Sequence, residues 1–433
     1  MPHEIIIGRN EDDINLYGNK ASIFLAKQYI KMGNLITLGN RILLDALRPH
    51  VILIAGKRGS GKSYTMGAIA EGLASLDPEI AQNITSLIID TMGIYWTMKN
   101  PNYKDERLLR EWGIEPQGFK NVSIFVPKGV FDEIKGRDPD MADYPFSIRT
   151  SELTADDWCY IFNFSLNDEY GIAISQALQP LKESHSKYDI DDIIESAKSL
   201  PISAITKEAI IQRFQTAKMW GVFDREGTNI EEILTPARIN VLDVSLYSHA
   251  LGAFNLRSLV VGLLAKDILE TRIIARREEE KSDVISQFTS IANKRRIPIV
   301  WMFIDEVHEF IPNDAVTAAT APLSRVIKEG RQPGIGLIVA TQQPGKLNTD
   351  VITQADIIIS HHITAEIDIK ALNAVMQTYL STQIRDLVVD LPRLPGAAIV
   401  LDDNSERIYQ VQIIPRRTWH GGSTPTAIPP PKS

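Results

Sequence analysis

Short apolar runs, rich in β-branched residues, recur along this chain between stretches in which apolar positions return every three or four residues. The runs Val51–Ala55, Ser86–Asp90, Val122–Val126 and Arg238–Val244 predict strands, as do Ile299–Ile304, Gly336–Thr341, Ile357–Ser360 and Ala397–Leu401. Helical periods mark Tyr64–Leu76, Ile172–Leu181, Asp191–Ala197, Lys207–Ala217 and Leu256–Ile274. Buried strands alternating with helices imply an α/β fold with an open, mostly parallel sheet. No internal repeat is visible, which argues against a solenoid.

The pattern divides the chain. Residues 1–48 form a short leader with Ile5-Ile-Ile7, a predicted helix Ala21–Met32, and apolar runs at 34–38 and 42–47. It reads as a small, partly β segment. Residues 49–164 and 236–422 carry the strand signals and form the expected core. Between them, 165–235 reads as a helical insertion. A charged linker is predicted at Ala275–Asp283, and residues 423–433, rich in Pro, Ser and Thr, are expected to be disordered.

Composition narrows the classes. The chain has 433 residues, 44% hydrophobic and 23% charged, ordinary for a globular protein. No apolar run reaches the ~20 residues that span a bilayer, so no membrane association is expected. The N-terminus lacks the basic and apolar regions of a secretory leader. A lone cysteine, Cys159, forms no internal disulfide; packing and a reducing, cytoplasmic compartment are expected. A net charge of −8 argues against a generally basic nucleic-acid coat and leaves room for a local basic channel.

The chemistry starts at Gly56-Lys-Arg-Gly-Ser-Gly-Lys-Ser63, which fits the phosphate-loop pattern G-x-x-x-x-G-K-[ST] between a predicted strand and helix. Such a turn aims backbone N–H groups and the positive end of a helix at phosphate. The expected nucleotide contacts are Gly56, Gly59, Ser60, Gly61, Lys62, Ser63 and Tyr64. Lys62 would reach the β- and γ-phosphates of ATP, and the Ser63 hydroxyl would hold Mg²⁺. The run Ile299–Ile304 ends in Asp305-Glu306. Asp305 would act through Mg²⁺, and Glu306 would polarise the attacking water.

Weaker signals follow. Gln342 ends a predicted strand and would either sense the γ-phosphate or face solvent. Arg331, in a glycine-flanked loop, would reach a transferring phosphate in its own or a neighbouring subunit, or be an ordinary solvated arginine. Asp90 would help place metal or water, or act as a loop or cap acid. Lys294-Arg-Arg296 could contact DNA phosphate but reads first as a solvated turn, and Arg272, Arg276 and Arg277 read first as ion-pair partners of Glu278–Glu280; both remain candidates for loops facing a central pore. His361-His362 lacks metal-ligand spacing and reads as structural, and His308-Glu309 lacks the second histidine of a zinc protease.

Several pieces together resemble the HerA branch of the HerA/FtsK ring ATPases. They are Leu44-Asp-Ala-Leu-Arg-Pro-His50 before the phosphate strand, Asp305-Glu-Val-His308, Glu329-Gly-Arg-Gln-Pro-Gly-Ile-Gly336, Ala340-Thr-Gln-Gln-Pro344 and Pro415-Arg-Arg-Thr-Trp-His-Gly-Gly422. In the last, Thr418 stands where the family has serine. The resemblance covers roughly residues 41–422. It implies a RecA-like ATPase core in a hexameric ring that moves double-stranded DNA, in repair or end processing. By carry-over, Asp305 and Glu306 are the acid pair of the second motif, Arg331 is the arginine finger and Gln342 the sensor. It also implies a NurA-type nuclease partner docking on an N-terminal barrel, for which residues 1–48 are too few to be complete. Rival readings are a related motor for another cargo or defence complex, and a nucleotide-switched assembly scaffold.

Overall fold

Val51–Ala55 and Ile299–Ile304, the apolar runs that lead into the glycine-rich loop and the acid pair, lie two strands apart in one sheet. The structure is a computed structural model, and it describes residues 4–32, 35–184, 187–249, 253–286, 297–376, 387 and 391–422. In chain order the strands are β1 Glu4–Ile7, β2 Ser22–Met32, β3 Leu35–Asp45, β4 Val51–Ala55, β5 Ile84–Asp90, β6 Val122–Pro127, β7 Tyr144–Phe146, β8 Ile148–Arg149, β9 Phe223–Asp224, β10 Ile239–Asp243, β11 Ile299–Ile304, β12 Ile335–Thr341, β13 Ile357–Ser360, β14 Ala397–Asp402 and β15 Arg407–Ile413. Thirteen of them run in the order β1-β3-β2-β15-β14-β13-β4-β12-β11-β5-β10-β6-β7, and β8 pairs with β9 apart. From β13 to β7 every pairing is parallel; from β13 through β14, β15 and β2 to β3 every pairing is antiparallel. The α/β, mostly parallel core is therefore as the pattern implies.

Parallel strands need cover on both faces, and β4 shows how it is met. Ile52 and Ile54 join the cluster with Met66, Ile69 and Leu73 of helix Lys62–Ala74. Leu53 and Ala55 join the opposite cluster with Val260, Leu264 and Ile268 of helix Ala253–Ser286 and with Leu323 and Ile327 of helix Thr320–Glu329. The helices Ala155–Phe162, Glu169–Ser184, Ile190–Lys198 and Ala204–Met219 pack round Trp158, whose ring meets Phe214 at 5.0 Å. None of the described helices is long and apolar enough to cross a membrane.

Two expectations fail, and one strand escapes the pattern. Ala21–Met32 is no helix: Ile23 and Leu25 are buried, Phe24 is half-buried, and the segment pairs with β3 and β15 as β2. Cross-strand partners far along the chain override a weak local period. The linker predicted at Ala275–Asp283 is helical, within the unbroken Ala253–Ser286. Its charges stabilise it, for Arg276 pairs with Glu279 and Glu280, and Arg272 with Glu279. Strand β15 interrupts its apolar residues with Arg407, Gln410 and Gln412 and gave no apolar run to read. The basic run Lys294-Arg-Arg296 and the tail 423–433 lie outside the described residues.

Candidate functional site

Eight parallel strands, β13 to β7, put their carboxyl ends on one edge of the sheet, where α/β folds bind ligands. At that edge β4 turns into Gly56–Ser63, and the helix Lys62–Ala74 begins inside the loop. Gly59 and Gly61 have φ of 75° and 118°, in the region open mainly to glycine. The loop is tied to both neighbouring strands: Gly56 N donates to Thr341 O at 3.3 Å, and Lys57 N to His362 O at 3.0 Å. Ser60 Oγ closes it internally on Lys57 O at 2.7 Å. Lys57, Arg58 and Gly59 are exposed, whereas Ser60 and Lys62 are buried. Burial lowers the Lys62 ammonium from its ordinary pKa, and the charges of Glu306 and Asp305 act against that.

The exits of β11 and β12 meet this loop. Ser63 Oγ donates to Asp305 Oδ2 at 2.5 Å. Burial pushes the Asp305 carboxyl above the usual range and the Glu306 charge adds to it, while the Ser63 hydroxyl and Lys62 oppose. Glu306 stands in the left-handed region, φ 49° and ψ 44°, a conformation that costs a non-glycine residue about 1–3 kcal/mol. That twist turns its side chain to Gln342, whose Nε2 donates to Glu306 Oε1. Glu306 Oε2 is buried and has no hydrogen bond among the described residues; His308 Nδ1 stands 3.4 Å away. His308 Nδ1 lies 3.1 Å from Thr341 Oγ1.

This donor set fits a nucleoside triphosphate with a divalent cation. The glycine loop leaves room for phosphate, Lys62 supplies the opposite charge, and Ser63 with Asp305 supplies hard oxygen ligands on one side. The unsatisfied Glu306 oxygen is an acceptor waiting for a donor such as water. Among the described residues no cluster of three or more His, Cys, Asp or Glu side chains is arranged for a metal, so a cation here would take its remaining ligands from phosphate and water.

The remaining candidates go elsewhere. The Tyr64 side chain turns from the loop, with its hydroxyl accepting from Arg416 N at 2.6 Å and its ring edge-on to His420 at 5.5 Å. Asp90 is a loop acid, accepting from the N–H groups of Met92, Gly93 and Tyr95. Burial, reinforced by the Asp243 charge beside it, lifts Asp90 to about 7. Arg331 precedes β12 at the opposite edge of the sheet. Its guanidinium is 3.9 Å from Asp356, which accepts from Val51 N where β4 begins. The length of β4, about 15 Å, separates Arg331 from the phosphate loop of its own chain. Cys159 is buried in the core, and burial pushes its thiol up to about 11, the behaviour of a packing residue.

Two residues outside the expected site support it, His361 in the structural role its spacing implies and Tyr95 with no signal in the sequence. His361 lies under the loop, with Nδ1 on Ala397 O at 3.1 Å and Nε2 on Thr65 Oγ1 at 2.9 Å. Burial holds it down to about 4, so the ring is a neutral prop. Tyr95, fully buried, sends its hydroxyl to Ser63 O at 3.2 Å. Both act through strand order, which no local motif announces.

Residues 30–260 match the family model for the central domain of helicase HerA, and 286–402 match the HerA-like helicase C-terminal model. The chain is 27% identical over 191 residues to the DNA double-strand break repair helicase HerA of Pyrococcus furiosus, covering 40% of this chain and 32% of that one. It is 23% identical over 416 residues to a probable DNA double-strand break repair helicase HerA of Methanocaldococcus jannaschii, covering 88% and 76%. The chain thus spans from about a third to three quarters of the length of these relatives. The solved structure of VirB4 from Thermoanaerobacter pseudethanolicus shares the fold, with a TM-score of 0.57 at 14% identity over 91% of this chain and 97% of that one. Two consecutive family matches, starting in the N-terminal ribbon and ending at β14, settle the kinship: the chain belongs to the HerA helicase family.

Proposed function

We propose that this protein is an ATP hydrolase that drives movement along double-stranded DNA, working as a ring, hexameric as in the family reading. The observation that carries the proposal is the Ser63–Asp305 contact beside the open carboxylate oxygen of Glu306. It sets a cation seat next to a base, which is what hydrolysis needs and a binding-only switch does not. Mg²⁺, when bound, neutralises charge on the β- and γ-phosphates. Lys62 would add a second positive charge at the same phosphates. Ser63 and Asp305 would hold the metal. Glu306 would take a proton from the attacking water, and Gln342 would hold Glu306 in place and release it as the nucleotide changes.

Arg331 would act on the nucleotide of the next subunit, since its own loop is a full strand length away. The names of the two HerA relatives support DNA as the cargo and repair as the setting. The cytoplasm is the expected compartment. A NurA-type nuclease stays outside the proposal, because β1–β3 are laid onto the motor's own sheet through β2 and β15.

Steady-state ATP hydrolysis with and without double-stranded DNA, at two salt concentrations, tests this reading. DNA is expected to stimulate turnover in a sequence-tolerant, salt-weakened way. Glu306→Gln is expected to lower kcat about 100-fold or more while nucleotide still binds. Turnover indifferent to DNA would move the proposal to another cargo; a Glu306→Gln chain that hydrolyses normally would remove the catalytic assignment.

A further inference from the structure

A triphosphate lying in the Gly56–Ser63 loop has a reacting end and a nucleoside end, and the two flanks of the loop differ. The acids Asp305 and Glu306 leave β11, beyond β12, so the γ-phosphate belongs on that side. The nucleoside then leaves toward β13 and β14. What stands there is the turn Pro392–Gly396 that enters β14.

This turn is flush with the loop. Gly396 N donates to Ser60 O at 3.4 Å. A Cβ built on Gly61 would lie 3.3 Å from Gly396 N and 3.5 Å from its Cα, so the two backbones are within van der Waals reach of each other. The turn is also firmly held. Pro392 O meets His362 Nε2 at 3.0 Å and accepts from Leu394 N at 2.7 Å. Leu394 O accepts from Ala397 N at 3.1 Å, and Pro395 O from Gln412 Nε2 at 2.9 Å. Yet its side chains project into solvent. Leu394 is 57% exposed, an apolar side chain beside a charged loop. Arg393 and Pro395 are exposed too, and Arg393 has no ion pair or hydrogen bond among the described residues. A firmly held backbone thus presents an exposed leucine, a proline and a guanidinium with no partner among the described residues next to a phosphate cradle.

We propose that the turn Pro392–Gly396 seats the nucleoside of the bound nucleotide, with Leu394 and Pro395 against the face of the base and Arg393 as the cation beside it. This rests on the nucleotide-binding reading of the loop and adds where the base lies. Residues 392–396 carry no amide or carboxylate side chain to read a base edge. The seat therefore recognises a purine by its face, and ATP and GTP should bind alike.

The test is calorimetric titration of the full chain with ATP, GTP and inorganic tripolyphosphate, each with Mg²⁺. The unaltered chain is expected to bind ATP and GTP within a few-fold of each other and both more tightly than tripolyphosphate. Leu394→Ala and Arg393→Ala are each expected to weaken ATP about tenfold and leave tripolyphosphate unchanged, which also shows that the loop is still folded. Variants that bind ATP as the unaltered chain does, or that lose both ligands equally, overturn the seat. So does an unaltered chain that prefers ATP to GTP by a hundredfold. An unaltered chain that binds neither ATP nor tripolyphosphate sinks the nucleotide reading itself, and the seat with it.

Discussion

The buried side chain His50 is held by carboxylates on both ring nitrogens, with Nδ1 2.6 Å from Asp356 and Nε2 3.0 Å from Asp45. Arg9, also buried, donates from Nε to Asp45 at 2.7 Å. Burial alone would lower the imidazolium, but hydrogen bonds and charge from the two acids win and raise its pKa to about 9. The sign of the linkage follows. Folded His50 binds its proton more tightly than the unfolded residue, near 6.5. The stability it confers is complete below that pH and is lost as pH rises through about 9, on the order of 3 kcal/mol. Thermal unfolding from pH 6 to 10 should therefore show a fall in midpoint that His50→Gln lacks; parallel profiles would mean the ring is neutral in the fold. Legibility at this scale depended on locality. Lys62, Ser63, Asp305 and Glu306 could be read because each sits at a strand exit within a short motif. Their partners were less legible: the pattern left Gln342 between a sensor and a solvent-facing residue, and marked His361 only as structural. His361 comes under the loop only because β13 lies beside β4, and Gln342 reaches Glu306 only because β12 lies beside β11.

Helix Lys62–Ala74 shows what one element needs in order to stay put. The segment Pro415–Gly422 crosses it, and Arg416, fully buried, donates from Nε to Glu71 Oε1 at 2.9 Å. Glu71 also accepts from Arg417 N at 2.8 Å and Thr418 Oγ1 at 2.5 Å. Glu71→Ala leaves a guanidinium buried without its counter-charge and is expected to cost about 3–5 kcal/mol in denaturant unfolding. Replacing both partners, Glu71→Leu with Arg416→Met, should recover most of that loss; equal losses for the single and double variants would mean the charge is not what matters. The terminal motif was visible in the sequence, but its role as a strap on the phosphate-loop helix was not, since about 345 residues separate the partners. The short space at Gly67, where a Cβ would sit 2.5 Å from Arg416 Cζ, explains a glycine in mid-helix that propensity disfavours. The same distance in sequence hid β2, whose partner β15 lies at the other end of the chain.

At the scale of the whole molecule, the two edges of the sheet face opposite ways. The phosphate loop is at one, and Arg331, 58% exposed, is at the other. If Arg331 serves the site as proposed, it does so on the nucleotide of a neighbour. Arg331→Ala chains and Glu306→Gln chains, each expected to be nearly inert alone, should regain a fraction of ATP turnover when mixed and allowed to exchange subunits. A mixture that stays inert, or an Arg331→Ala chain as active as the original, would show that the arginine does not act across an interface. The parallel core was legible because buried β-branched runs are hard to mistake, and β14 was legible with it, while β2 and β15, with polar residues among their apolar ones, were not. The antiparallel half has a consequence in time. Strand β15 fits between β14 and β2, bonding Val411–Ile413 to Ala26–Gln28. During synthesis the ribbon of β2 and β3 precedes its inner neighbour by the whole of the parallel core. A nascent chain therefore carries an unpaired strand edge until that core has been made, and a chaperone that shields this edge is expected to raise the yield of folded chain.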